Sequence, residues 1–307
     1  MVREVTIRNV ADMQYHFGSH GRTADLRAKG FPLISGDPDV RMEFTWIVVP
    51  KGYSTPRHHH CFDQVRYVMN GEFGVGKGFE IKEGHVAYFP EGVNYGPQNQ
   101  TDDCVALILQ FPGPTGVEYL THKQLHDAQK ELEAAGAKFE NGIYTRVGAD
   151  GRKINMDSHK ACWEHVTGRT LTFPKGRYNH PVVMRPENYR WMADRQLAGV
   201  EHKHLGTFGE MRTGMSFMRI APGARIPAAR QEDAEIRYLI DGVVGYGGVS
   251  YHGGMSENEG TYFYIPNDCD VKETVAGKSG ATFFVISLPM MAEMEARHRQ
   301  GIRASAA

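Results

Sequence analysis

GYSTPRHHHCFDQVRYVMNG, residues 52–71, opens and closes on glycine and sets three consecutive histidines ahead of an apolar run. Turn residues followed by Val65, Tyr67 and Val68 read as a short strand bounded by turns. Two histidines two positions apart on a strand share a face. In a small closed barrel, one face of every strand is the interior. His58 and His60 could then share one divalent ion, with imidazole nitrogens at ~2.0–2.1 Å from it. A polar barrel mouth without metal is the other reading. His59 points the opposite way, to a surface or an interface, and Cys61 reads as a small buried hydrophobe.

Moving outward, similar apolar runs recur between turn residues. They are MEFTWIVVP (42–50), HVAYFP (85–90), CVALILQFP (104–112) and ATFFVISLP (281–289). Within the first, Met42, Phe44, Trp46 and Val48 alternate with Glu43, Thr45 and Ile47, a mostly period-two pattern. Short strands at this spacing predict an all-β barrel or sandwich. The chain also repeats itself. Residues 223–242, GARIPAARQEDAEIRYLIDG, match the opening stretch at Gly52/Gly223, Pro56/Pro227, Arg66/Arg237, Tyr67/Tyr238 and Gly71/Gly242. After a slip at the Gly-rich GYGGVSYHGG (245–254), Glu83-Gly84 meets Glu259-Gly260, Tyr88 meets Tyr264 and Pro90 meets Pro266; further on, Pro112 meets Pro289. Register kept through one slip at a turn means a tandem duplication of an all-β domain.

Between the halves lies a strong helix signal. Thr121 with Gln124 forms a capping box, Leu125, Ala128, Leu132 and Ala135 follow at helical spacing, and Gly136 suits the C-terminal end. A second helix is expected over roughly Met290 to Arg299, so each half would be a barrel followed by a helix. Asn141-Gly142 and Asp150-Gly151 mark turns in the connecting segment. These place the boundary near residue 150, giving an N-terminal barrel over 1–150 and a C-terminal one over 151–307.

Written as Gly52-x5-His58-x-His60-x3-Gln64-x6-Gly71, the opening stretch resembles the first signature of the cupin superfamily, with Gln64 where the family has Glu. Gly84-x5-Pro90-x-Gly92-x2-Tyr95-x3-Asn99 resembles the second signature, with Tyr95 where the third histidine belongs. With the duplication, the whole chain resembles a bicupin, two tandem jelly-roll barrels. The resemblance implies a metal-binding barrel in which the Glu position and the third His complete the ligand set, with two or three positions open. The candidate ligands are therefore His58, His60, Gln64 and Tyr95, and Gln64 and Tyr95 are also the candidates to act on a bound substrate. Gln64 could ligate through its amide oxygen or hold a ligand water. Tyr95 could ligate, hydrogen-bond a bound molecule or line the pocket. The second half keeps the frame and the acid in Gly223-x5-Ala229-x-Gln231-x3-Glu235-x6-Gly242 but loses both histidines, and Val271 occupies the third position. It reads as structural, with Glu235 hydrogen-bonded to a neighbour such as Gln231 or Arg237. His202 and His204 form another i, i+2 pair outside the motif and read as structural or surface residues.

Charge narrows the functions. The 35 Lys and Arg against 36 Asp and Glu leave a net charge of −1, and no basic run appears, which argues against nucleic-acid binding by bulk charge. Four cysteines, Cys61, Cys104, Cys162 and Cys269, are widely spaced and suggest neither a disulfide framework nor a cysteine zinc site. No apolar stretch reaches a membrane span, and a cytoplasmic setting is expected. GVGKG (74–78) lacks phosphate-loop spacing, and no Gly-x-Ser-x-Gly elbow is present. A barrel with candidate lining rings Phe44, Trp46, Tyr67, Phe73, Tyr88 and Tyr95 suits a small organic molecule. The expected activity is that of a metal-dependent enzyme, a dioxygenase-like oxygenase using Fe2+ by preference, with Mn2+, Ni2+ or Zn2+ as other candidates. A metal-dependent isomerase, lyase or hydrolase, or a non-catalytic binder, is the alternative. The family resemblance implies a homodimer.

Overall fold

In a computed structural model of the chain, residues 3–18, 26–34 and 41–299 are described. They form two compact units, one from residues 15–18, 26–32 and 41–183, the other from 3–14, 33–34 and 184–299. The first is built on a sheet whose strands run in the order Val182–Met184, Val86–Phe89, Phe62–Asn70, Cys104–Pro112, Arg41–Val49, Leu26–Ile34 and His16–Gly18. Short pairs, Ser54–Thr55 with Gln98–Asn99 and Glu72–Gly76 with Phe79–Lys82, lie between strands of that sheet in sequence. The second orders Thr6–Asn9, Thr261–Ile265, Ala234–Tyr246, Thr274–Leu288, Thr213–Ile220, Val200–Phe208 and Met192–Ala193.

The duplication is visible in the strand register. Gln64 lies opposite Phe89 and Gln110, and its counterpart Glu235 lies opposite Ile265 and Ser287. Arg66 lies opposite Ala87 and Ile108, and Arg237 opposite Phe263 and Val285. His58 bridges Tyr95 where Ala229 pairs with Val271. The paired glycines explain themselves at the same level. Gly71 and Gly242 sit at φ +78° and +81°, and a Cβ would come within 2.6 Å of the Asp103 carbonyl oxygen or 2.1 Å of that of Gly280. Only glycine tolerates both the left-handed backbone and the close approach.

The helix His122–Ala134 is capped as expected: the Thr121 side chain accepts from the Gln124 amide, and Gln124 Oε1 accepts from the Thr121 amide at 3.0 Å. The C-terminal helix runs Met291–Arg299. The connecting segment is richer than the turns implied. The strands Lys138–Glu140, Ile143–Val147 and Lys153–Asp157 form a small sheet that turns at Asn141-Gly142, and a second helix, Ser158–Thr167, follows. Asp157 caps that helix by accepting from the Lys160 amide, and Gly168 ends it in the left-handed region. Its Cys162 and Trp163 share one apolar cluster with Leu125 and Ala128 of the first helix. This packing holds residues 151–183 with the first unit, so by internal contacts the division falls at 183/184 rather than near 150.

The second unit also takes in the N-terminal strand. Thr6–Asn9 pairs antiparallel with Thr261–Ile265, from Thr6 opposite Tyr264 to Asn9 opposite Thr261. Arg3 clasps the buried Glu295 of the C-terminal helix at 2.7 Å. Among the described residues, no helix is long and apolar enough to cross a membrane.

Candidate metal and small-molecule site

His58 and His60 lie not on a regular strand but in the segment between Ser54–Thr55 and Phe62–Asn70. Two backbone hydrogen bonds of 3.0 Å, His58 N–H to the Tyr95 carbonyl and Tyr95 N–H to that of His58, fix this segment. His58 Nδ1 lies 2.7 Å from the Pro56 carbonyl oxygen. A carbonyl only accepts, so Nδ1 carries the proton and Nε2 carries the lone pair, the arrangement that metal-ligating histidines use. The His60 ring stands edge-on to that of His58 at 5.0 Å, and the Tyr95 ring lies 4.5 Å from His58 and 6.0 Å from His60. His59 turns away, meeting Asn94 Oδ1 at 3.2 Å and Phe173 at 4.3 Å between ring centres.

Gln64 joins the same site from the strand Phe62–Asn70. Its Nε2 donates to the Tyr95 hydroxyl at 3.3 Å, and its Oε1 accepts from Gln110 Nε2 at 3.3 Å. It also accepts from Arg66 Nη2 at 3.0 Å, and the same Nη2 donates to the Tyr95 hydroxyl at 2.9 Å. All four candidates are thus brought together, but Gln64 and Tyr95 are engaged by an arginine that the motif reading took only as a marker of the repeat. Period-two spacing was the available signal, since Arg66 follows Gln64 by two residues and shares its face. Arg66 is 5% exposed, with its guanidinium carbon 4.3 Å from the Phe89 ring centre, 4.9 Å from Phe73 and 5.1 Å from Tyr95.

From Gln110 the network continues. The Tyr119 hydroxyl reaches Gln110 Oε1 at 3.0 Å and Glu43 Oε2 at 2.7 Å, and Glu43 Oε2 also accepts from the His122 amide at 2.8 Å. Burial pushes the Glu43 carboxyl up, but the charge and hydrogen bonds of His122 and the Tyr119 hydroxyl outweigh it and hold the pKa at about 2.

The register corrects the expected aromatic lining. Gln110 lies opposite Glu43, Ile108 opposite Thr45 and Ala106 opposite Ile47, so this face of Arg41–Val49 is the one shared with Gln64 and Arg66. Phe44 and Trp46 therefore lie on the other face, as do Tyr67 and Tyr88 on their strands. Of the six rings, Phe73 and Tyr95 belong to the cluster around Arg66, and Phe89 joins them. On the opposite face, Asp63 is fully buried, accepting from the Tyr88 hydroxyl at 2.6 Å and the Glu91 amide at 2.8 Å. Burial raises its pKa to about 7 against these hydrogen bonds.

Compared as a sequence, the chain matches no family model and no curated protein. Compared as a structure, it is similar over 95% of its length to 85% of a Nostoc punctiforme protein provisionally described as a dioxygenase, at a TM-score of 0.62 and 12% identity. It is also similar over 94% of its length to 78% of Bacillus subtilis oxalate decarboxylase, at a TM-score of 0.51 and 14% identity. The chain has the bicupin fold. Another structure of that decarboxylase, described by its Mn(II) centres, aligns at a TM-score of 0.52 and 13% identity, over 94% of this chain and 78% of that one.

Within this fold the chain departs from the cupin motif pattern in both barrels. Among the described residues, no three His, Cys, Asp or Glu side chains gather as ion ligands. In the first barrel the residues fit an ion through two imidazoles, and the Gln64 and Tyr95 oxygens already serve Arg66. His159, which no motif announced, comes within 5.6 Å of His60 between ring centres, and its Nε2 is 3.8 Å from Cys61 Sγ. In the second barrel Glu235 Oε2 accepts from Arg237 Nη2 at 2.8 Å, as the costliness of an unpaired buried carboxylate requires. His202 Nε2 lies 3.0 Å from Asp194 Oδ2, and the His204 ring stacks on His202 at 5.6 Å.

Proposed function

We propose that this bicupin is a metal-dependent enzyme acting on a small organic molecule, dioxygenase-like, with its chemistry in the first barrel. One observation carries the reading: the Pro56 carbonyl fixes the proton of His58 on Nδ1, the tautomer that metal-ligating histidines use, and the ring of His60 stands edge-on beside it at 5.0 Å. The two imidazoles would hold one divalent ion, Fe2+ by preference, which supplies Lewis acidity and a place for dioxygen. Two neutral ligands leave the ion's charge nearly undiminished, which favours an anionic substrate. Gln64 and Tyr95 serve as polar contacts, and Phe73 and Phe89 exclude water. A homodimer in the cytoplasm is the proposed setting.

The test is elemental analysis of untagged protein, then oxygen uptake with Fe2+ and phenolic or diketone substrates. The expected result is about one divalent ion per chain, absent from a folded His58→Ala/His60→Ala variant. Unchanged metal in that variant would place the ion elsewhere. A second reading, a non-catalytic binder, is favoured by the engagement of Gln64 and Tyr95 with Arg66. Loaded protein without turnover on any substrate would support it.

A further inference from the structure

The group that the proposed chemistry does not use is Arg66. Its guanidinium is always charged and cannot shed its proton in a protein. It is 5% exposed. Both interactions of Nη2 are with neutral groups, Gln64 Oε1 and the Tyr95 hydroxyl. Nε and Nη1 are buried without any hydrogen-bond partner. No carboxylate of the described residues forms an ion pair with it, since Glu43 is reached only through Gln64, Gln110 and Tyr119. The rings of Phe73, Phe89 and Tyr95 offer π density to the cation but no acceptor for its remaining N–H groups.

A buried cation with idle donors is costly in the free protein. The cost is recovered when an anion with two oxygens arrives, because charge-assisted hydrogen bonds to a planar guanidinium are the strongest of their kind. The Tyr95 hydroxyl adds a donor. It accepts from Arg66 and from Gln64, which leaves its own hydrogen for a third group.

We propose that the first barrel binds a small organic carboxylate at Arg66, with the Tyr95 hydroxyl as second donor. The inference names a substrate class for the function proposed above and rests on that reading for its catalytic meaning, but the site needs no metal to bind. The Tyr95 ring, whose hydroxyl meets Arg66, lies 4.5 Å from the ring of His58, so the proposed anion site borders the imidazoles.

The second barrel supplies the design of the test. There the position of Gln64 is Glu235, whose carboxylate neutralises the arginine at 2.8 Å, although Arg237 Nε is also without a hydrogen-bond partner. Gln64→Glu should install the same internal partner and compete with a ligand. The measurement is calorimetric titration of the full chain, stripped of metal by a chelator, with sodium benzoate and sodium acetate in chloride-free buffer. The wild type should bind at least one of them saturably. Gln64→Glu should bind it at least tenfold more weakly, and Arg66→Met, checked for native circular dichroism, not at all. Saturable binding untouched by either change would overturn the proposal, as would no binding of either carboxylate. Phosphate or chloride binding as tightly, with the same dependence on Arg66, would make this a simple inorganic-anion site and also overturn it. A parallel metal titration separates the two readings. Normal metal uptake without carboxylate binding sinks this inference only, and carboxylate binding without metal uptake sinks only the metal reading.

Discussion

At two equivalent positions of the duplicated barrel, one chain solves the same problem in two ways. In the second barrel Arg237 meets Glu235 at 2.8 Å, with both side chains about one-seventh exposed or less. In the first barrel Arg66 meets Gln64 at 3.0 Å, and the carboxylate is gone. The exchange of one oxygen for one nitrogen turns a neutral pair into a net positive charge inside the barrel. The histidines follow the opposite distribution, His58 and His60 in the first barrel against Ala229 and Gln231 in the second. The half that keeps the acid has lost the imidazoles, and the half that keeps the imidazoles has lost the acid. The duplication therefore separates the frame, common to both halves, from two charge states that only local residues decide.

The sharpest way to break this comparison is the metal content. If His58→Ala/His60→Ala removes the ion while Ala229 and Gln231 leave the second barrel without one, plasma emission should fall from about one ion per chain to none. The next effect is one of pH. Asp63 is buried in the first barrel, and its counterpart is Ala234. Burial raises the Asp63 pKa from 3.8 to about 7, so the native state favours the protonated acid. That contribution is full below about pH 4 and is lost as the pH rises through about 7, a change of roughly 2–4 kcal/mol. Urea melts from pH 4 to 8 should show the slope, and Asp63→Asn should flatten it.

Third come the arginines. Arg237→Met strands Glu235 and should destabilise by about 1–3 kcal/mol. Arg66→Met removes an unpaired cation and should fall within about 1 kcal/mol of the wild type, or be more stable. Equal losses in denaturant melts would mean that Arg66 has a counter-charge after all. The smallest effect belongs to Glu235→Gln, which copies the first barrel's chemistry. It should cost about 0–2 kcal/mol and leave metal content and turnover unchanged, whereas lost turnover in folded protein would move the active site to the second half.

Much of the fold was legible because duplication writes it twice. The turn glycines and the capping box of Thr121 reappear as φ angles and a cap, and the slip at residues 245–254 reappears as the longer connection between Glu235 and its partner Ile265 than between Gln64 and its partner Phe89. The segment from 138 to 183 has no counterpart in the second half, so its small sheet and helix carried only turn signals. The N-terminal strand's partner lies some 250 residues along the chain, and no local pattern encodes a pairing at that range. Within the site, the motif located His58, His60, Gln64 and Tyr95. Which face of Arg41–Val49 looks toward Arg66 is not encoded in its pattern, because both faces are apolar: Phe44 and Trp46 are as buried as Ile47 and Val49. Arg66 was in plain view as a repeated identity, but a charge that recurs in both halves reads as frame until its partner's charge is compared.

The strand Thr6–Asn9 and the Arg3–Glu295 clasp have a mechanical consequence. Residues near both ends of the described chain are anchored in the same unit, so tension applied between residues 3 and 299 is borne by that clasp and by the ladder to Thr261–Ile265. The segment from 41 to 183 lies off the load path, a slack loop between two joined ends. Stretched in an optical trap, the molecule should lengthen first by opening the second unit's seam, and the barrel that carries His58 and Arg66 should feel force only after that seam has given way.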